Sequence, residues 1–144
     1  MAFRGHYEHT LDVKNRLTVP SRFRTALADG VVLARAFEPC VSVWTPTGWE
    51  SFTQRFLEPL DPFSERSRKL QRYFNAGSFD TDLDSAGRLM VPAPLMDHAK
   101  LDKEVAVVGN SISFEIWDRP TWAKYERGLA DTVLDDAENL ASST

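Results

Sequence analysis

Polar and apolar positions change period several times along the chain, and the changes come in the same order twice. Residues 5–12 alternate loosely and carry aromatic and threonine side chains, which suits a strand. The run DVKNR, from Asp12 to Arg16, reads as a tight turn, and Asn15 tolerates the left-handed backbone such turns use. Residues 17–19 suit a short strand. Pro20 keeps Val19 extended and pre-sets φ for a helix over residues 21–28. Strands rich in β-branched residues follow at 31–36 and 41–45, turning at Glu38-Pro39, and a helix starts near Pro46. The series then recurs. The run DSAGR from Asp84 to Arg88 is the turn, with Gly87 in the fourth place. A strand at 89–91, Pro92, a helix at 93–98, strands at 105–108 and 113–117 turning at Gly109-Asn110, and a helix near Pro120 complete it. Between the two series, residues 62–75 set Phe63, Leu70, Phe74 and Tyr73 along a helical stripe, with Arg66, Lys69 and Arg72 on its flank. That pattern fits a helix packed on the core with a solvated basic face. Beyond Gly128 acidic and small residues predominate, as in a frayed helix or disordered tail.

The recurrence is specific to residues, not only to pattern. At a shift of 72, Gly5 falls on Gly77, Leu11 on Leu83, Asp12 on Asp84, Arg16 on Arg88, Leu17 on Leu89, Val19 on Val91 and Pro20 on Pro92. At a shift of 73, Trp44 meets Trp117 and Trp49 meets Trp122. A period this long is a duplicated half-domain, not a solenoid unit. The chain divides into a first repeat over residues 1–61, a connecting helix over 62–76, a second repeat over 77–127 and an acidic flexible tail over 128–144. One repeat cannot close its own sheet or bury both faces. Two in one chain can pair about a pseudo-two-fold axis. The expected class is α+β and β-rich: a small swapped-hairpin β-barrel flanked by helices.

Charge changes the picture. The net charge of −4 over 144 residues argues against nucleic acid. Its distribution does not. Residues 1–24 hold Arg4, Lys14, Arg16, Arg22 and Arg24 against Glu8 and Asp12. Residues 126–144 hold Glu126, Asp131, Asp135, Asp136 and Glu138 against Arg127. A basic N-terminal segment is therefore masked by an acidic end, an asymmetry that can mark a nucleic-acid surface or only a solvated face. The lone Cys40 cannot form an internal disulfide, which fits a reducing cytoplasm. No apolar run reaches the roughly 20 residues of a membrane helix, and MAFRGHYEH has no signal-peptide core.

The most specific feature is the repeated D-x-x-x-R. Read locally, Asp12 and Asp84 cap their turns and Arg16 and Arg88 pair back onto them. Such bracing is compatible with function, because a rigid turn presents its neighbours in fixed positions. The surroundings differ. Lys14, Arg16 and the flanking Arg4, Arg22 and Arg24 surround the first turn, whereas Asp80, Asp82 and Asp84 crowd Arg88. Phosphates favour the first and are repelled by the second. One copy reads as a DNA reader and the other as scaffold. Enzyme readings find little support. His6 and His9, three apart on a strand, face opposite sides and do not readily share a metal. Cys40 lacks an evident base partner. No phosphate-cradling glycine loop and no nucleophile elbow is present. The tryptophans repeat in pairs and read as packing residues. No catalytic residue, metal, cofactor or small-molecule substrate is expected.

These motifs resemble the MraZ family of bacterial transcriptional regulators. The resemblance rests on FRGHYEHTLDVKNRLTVPSRFR, SRKLQRYFNAGSFDTDLDSAGRLMVPAPL and KEVAVVGNSISFEIWDRPTW, nearly the whole chain outside the tail. It implies two tandem AbrB-like half-modules in a swapped-hairpin fold and assembly of identical subunits into a ring. It implies association with the nucleoid and binding of short direct repeats in double-stranded promoter DNA. The promoter implied is that of the division and cell-wall gene cluster containing the family's own gene. It assigns DNA binding to the first D-x-x-x-R arginine, here Arg16. Two departures stand out: Asn15 replaces the glycine usual before that arginine, and Ala2 intervenes in the usual M-F-R-G start. Two other classes stay open at this stage, a ring-forming structural or interaction protein and an antitoxin-like module that binds a partner through its tail.

Overall fold

In the computed structural model, which describes residues 2–143, each repeat contributes four strands. The first contains β1 (His6–Thr10), β2 (Arg16–Thr18), α1 (Ser21–Arg24), β3 (Val31–Arg35), β4 (Cys40–Trp44) and α2 (Pro46–Phe52). A 3₁₀ turn, Thr25–Leu27, extends α1, and a π turn, Thr53–Leu57, extends α2. The connecting helix is α3 (Glu65–Ala76). The second repeat contains β5 (Ser78–Thr81), β6 (Arg88–Met90), α4 (Ala93–Ala99), β7 (Glu104–Asn110), β8 (Ser113–Asp118) and α5 (Arg119–Ser142). The fold is α+β and β-rich, and every strand pairing is antiparallel.

The strand order explains why the sequence carries two repeats. Six strands form one sheet in the order β1-β7-β8-β4-β3-β5, and β2 and β6 form a separate ribbon. Exchanging the repeats reverses that order onto itself. Each outer strand lies on the other repeat: β1 on β7 and β5 on β3. Equivalent residues face each other where the repeats meet, Leu17 opposite Leu89 in the ribbon and Ser42 opposite Glu115 in the sheet. Two further bonds cross the ribbon's ends. Val19 N–H donates to Gly87 O and Val91 N–H donates to Asn15 O, both at 3.0 Å.

The apolar residues of L-x-V-P supply the centre of the core. Leu17, Val19, Leu89 and Val91 are buried together with Leu33, Val43, Val107 and Phe114. All five residues of β4 are buried, so that strand reads as a continuous apolar run, as expected when both faces are covered. Phe23 on α1 packs between Phe3, 5.1 Å away edge-on, and Phe114, 5.2 Å away and stacked. The tryptophan repeat becomes two equivalent clusters. Trp44, Trp49 and Phe52 lie with centroids 5.1–5.4 Å apart. Trp117 and Trp122, with Tyr125 in the place of Phe52, form the other. Each ensuing helix begins with a cap and a proline: Thr45 Oγ1 accepts from Gly48 N–H at 2.9 Å, and Asp118 Oδ2 from Thr121 N–H at 3.2 Å.

Two elements differ from the sequence reading. The second hairpin does not turn at Gly109-Asn110; β7 continues through Asn110, which pairs with Ser113. The turn uses Ser111, with φ of 68°. Gly109 serves close packing instead. A Cβ there would lie 2.5 Å from Arg4 Cα and 2.6 Å from Phe3 O. Phe63 lies outside the helical stripe, 91% exposed ahead of α3, whereas Phe74 is buried. Of the two forms expected for the tail, residues 128–142 take the helical one and continue α5, a helix of 24 residues whose side chains are all exposed from Lys124 onward. Good helix formers such as Ala, Leu and Glu permit that extension.

The Gly109 contact yields a stability prediction. Gly109→Ala forces backbone against backbone and should cost about 1–3 kcal/mol, as overpacking does. Urea denaturation of the variant and parent measures it, and coincident midpoints refute the close-packing role.

Candidate nucleic-acid interface

The two D-x-x-x-R runs fold into superimposable frames. Asp12 Oδ1 accepts from the N–H groups of Lys14 and Arg16, each at 2.9 Å, and Oδ2 accepts from Arg16 Nε at 2.7 Å. Asp84 does the same with Ala86, Arg88 and Arg88 Nε, at the same distances. The fourth residue is left-handed in both, Asn15 at φ 58° and Gly87 at φ 74°. Asparagine thus holds the backbone that glycine holds in the other copy. The Arg16 N–H first, then its guanidinium and the Lys14 N–H, pull the Asp12 carboxyl below its ordinary pKa against a smaller opposing effect of burial. Arg88 and Ala86 act in the same way on Asp84. Each aspartate therefore remains ionised and each arginine remains braced. The turns sit at opposite ends of the β2·β6 ribbon. Asn15 to Val19 is four residue steps, roughly 13 Å of strand.

Around these frames the structure sorts the expected residues. Lys14 and Arg16 share the first turn with Asp12 and Asn15, and Val13 at its tip is 88% exposed. Arg24 belongs elsewhere. Its Nε donates to Val19 O at 2.8 Å and lies 2.6 Å from where a Gly87 Cβ would be, against the second turn. Arg22 Nη1 donates to the Tyr7 hydroxyl at 3.3 Å, and that hydroxyl lies beside Gly5, ahead of β1. Arg4 lies at that end of β1 as well, where its backbone meets Gly109. Of the five N-terminal cations, then, two are at the turn. One residue there is missing from the sequence reading: Lys103 Nζ donates to Asp12 O at 3.1 Å and to Asn15 Oδ1 at 3.5 Å. It is 91 residues from Asp12 in the chain, and no local motif announces it.

The second turn has Ala86 in the place of Lys14 and Arg24 against Gly87. Asp80 and Asp82, on and just after β5, line a cavity of about 270 Å³ with Asp29. Among the described residues no cluster of histidine, cysteine or acidic side chains has the grouping to hold a metal. His6 packs edge-on against Trp122 at 5.8 Å, and burial, then the nearby Arg119 charge, lowers the His9 pKa. Burial pushes the Cys40 thiol far upward, so it stays protonated and a poor nucleophile.

The family model described as "MraZ protein, putative antitoxin-like" matches residues 2–72 and again 74–142, once for each repeat. The chain belongs to the MraZ family. It is 40% identical over 139 residues to a protein of Moorella thermoacetica, covering 96% of each chain. It is 37% identical over 141 residues to one of Desulfitobacterium hafniense (strain DSM 10664 / DCB-2), covering 97% of each. Both are named "Transcriptional regulator MraZ". The doubled MraZ match falls on the two D-x-x-x-R frames and on the strands that cross between them. No helix among the described residues is long and apolar enough to cross a membrane.

The two braces carry a pH prediction. A depressed folded-state pKa stabilises the fold above the ordinary carboxyl value of 3.8 and loses that contribution as pH falls through the folded value. Asp12→Asn and Asp84→Asn should each lower the thermal midpoint at neutral pH by similar amounts. The difference from the parent should shrink as the pH is taken below 3.8. Midpoint differences that stay constant into acid contradict the brace.

Proposed function

We propose that this chain is a DNA-binding transcriptional regulator that reads double-stranded promoter DNA with its first D-x-x-x-R turn. The observation that carries the proposal is the contrast between two turns of the same geometry. With each arginine paired to its aspartate, Lys14 stands at the first where Ala86 stands at the second. A rigid frame presenting cations suits phosphates, and Arg16 has further guanidinium N–H groups to offer a base edge or a phosphate. Asn15 fixes the turn, and Arg4 and Arg22 serve as more distant phosphate contacts, whereas Arg24 is held against the second turn. The second turn is scaffold. Membership of a family whose members are named transcriptional regulators supports the same reading.

The finer picture follows the family resemblance. The repeats form a pseudo-two-fold swapped-hairpin unit, a reading supported by the palindromic strand order. The chain acts in the cytoplasm, at the nucleoid, without enzymatic activity. It binds direct repeats in the promoter of the division and cell-wall cluster as a homo-oligomeric ring. Exposed apolar side chains are available for self-association, among them Phe37, Phe56 and Phe63 and, on α5, Leu134 and Leu140. A single turn reaches few base pairs, and non-specific contacts of this kind give roughly 10⁻⁴–10⁻⁶ M. Several identical readers at fixed spacing gain about 10²–10⁴ through avidity. A ring meeting several boxes also needs bent DNA or a distorted ring, and bending 20–30 base pairs costs on the order of 1–6 kcal/mol.

Two experiments test this. Arg16→Ala should weaken promoter binding far more than Arg88→Ala, by about 1–3 kcal/mol if a base contact is lost. Both variants lose equivalent braces, so equal effects in folded proteins overturn the reader-and-scaffold assignment. A half-turn of duplex inserted between promoter boxes should weaken binding sharply at constant salt. Unchanged affinity rules out shared readout by an oligomer.

A further inference from the structure

The first turn carries a cation that its own repeat does not encode. Strand register identifies its counterpart. Tyr7 lies opposite Val107, and its repeat partner Phe79 lies opposite Leu33, so β3 and β7 correspond at a shift of 74. Lys103, just ahead of β7, therefore corresponds to Asp29, just ahead of β3. Its main chain is anchored at the turn as well, because Leu11 N–H donates to Lys103 O at 2.7 Å.

We infer that Lys103, from the second repeat, is a phosphate-contacting residue of the DNA surface formed by the first turn. The inference rests on the DNA-binding reading proposed above and adds a residue to it. Asp12 and Arg16 form an ion pair at 2.7 Å and largely cancel. The positive charge left at the turn is that of Lys14 and Lys103. The acceptors of the Lys103 ammonium are a carbonyl and an amide oxygen, both uncharged, and Lys103 is exposed and forms no ion pair among the described residues. An ammonium has three donors, and its undiminished charge is available to a phosphate. The equivalent positions change: Ala86 stands for Lys14 and, by register, Asp29 for Lys103, while the cation against Gly87 is Arg24, from α1. The two lysines that distinguish the turns come from different repeats. A complete reader therefore requires both halves of the chain, and the exchange of β1 onto β7 assembles it.

The experiment uses the full chain and a duplex covering the region upstream of its own gene, with a scrambled duplex of equal length alongside. Affinity is measured by fluorescence anisotropy across a salt series for the parent, Lys103→Met and Lys103→Arg. Met keeps the apolar stem and removes the charge. The slope of log K against log salt should fall by about 0.9 for each subunit engaged in Lys103→Met, on both duplexes, and be restored in Lys103→Arg. For one engaged subunit, raising salt from about 50 to about 200 mM then weakens Lys103→Met some threefold less than the parent. A thermal midpoint matching the parent's certifies the fold. An unchanged slope in Lys103→Met, with or without weaker binding, overturns the inference, because a residue that only steadies the turn alters affinity without changing the number of phosphates neutralised. A parent chain that shows no salt-dependent binding to either duplex overturns the DNA reading, and this inference with it.

Discussion

The structure depends on one constraint: neither repeat can complete its own sheet. Among the described residues β1 pairs in the sheet with β7 and β5 with β3, while β2 pairs with β6 across the middle. Leu17 opposite Leu89, both fully buried, closes the core where the repeats cross. The backbone bonds from Val19 to Gly87 and from Val91 to Asn15 tie each turn to the other repeat's short strand. The L-x-V-P residues recur because each copy fills half of one core, not because each builds a core of its own.

From that exchange follows the separation of frame and charge. Asp12 and Asp84 make the same three hydrogen bonds at the same distances, so the turns match as backbones. What surrounds them does not match. Lys103 approaches the first turn, its counterpart by strand register is Asp29, and Arg24 crosses over to lie against Gly87. Duplication supplied two matching frames, and a few side chains around them differ, with Lys14 and Lys103 at the first and Arg24 at the second. Arg119 fastens the strands that lead to the first turn. Its guanidinium donates to His9 O at 2.6 Å and pairs with Glu104 at 3.4 Å, fastening α5 to β1 and β7.

Much of this was legible in the sequence. Apolar alternation, β-branched runs and prolines located most of the strands and helix starts to within a residue or two, the connecting helix starting three residues later than read, and the Asp–Arg brace follows from a turn of that length. Local errors have local causes. Gly109 suggested a turn because glycine often makes one, but there it admits the backbone of Arg4. Phe63 suggested a stripe by spacing, yet it precedes the Ser64 cap and so escapes the helical period.

The sequence by itself determined the duplication, the element order, the two braced turns and the bias of positive charge toward the N-terminus. These are properties of near neighbours or of one copy compared with the other, and both are written linearly along the chain. Tertiary structure alone decided which cations share a turn. Arg4, Arg22 and Arg24 are close to Asp12 in the chain and lie elsewhere in the fold, while Lys103, far along the chain, donates to the Asp12 carbonyl. The physical reason is the exchange of strands. Antiparallel pairing of β1 with β7 sets the start of one beside the end of the other, so the neighbours of the first turn are fixed by register between repeats and not by distance along the chain.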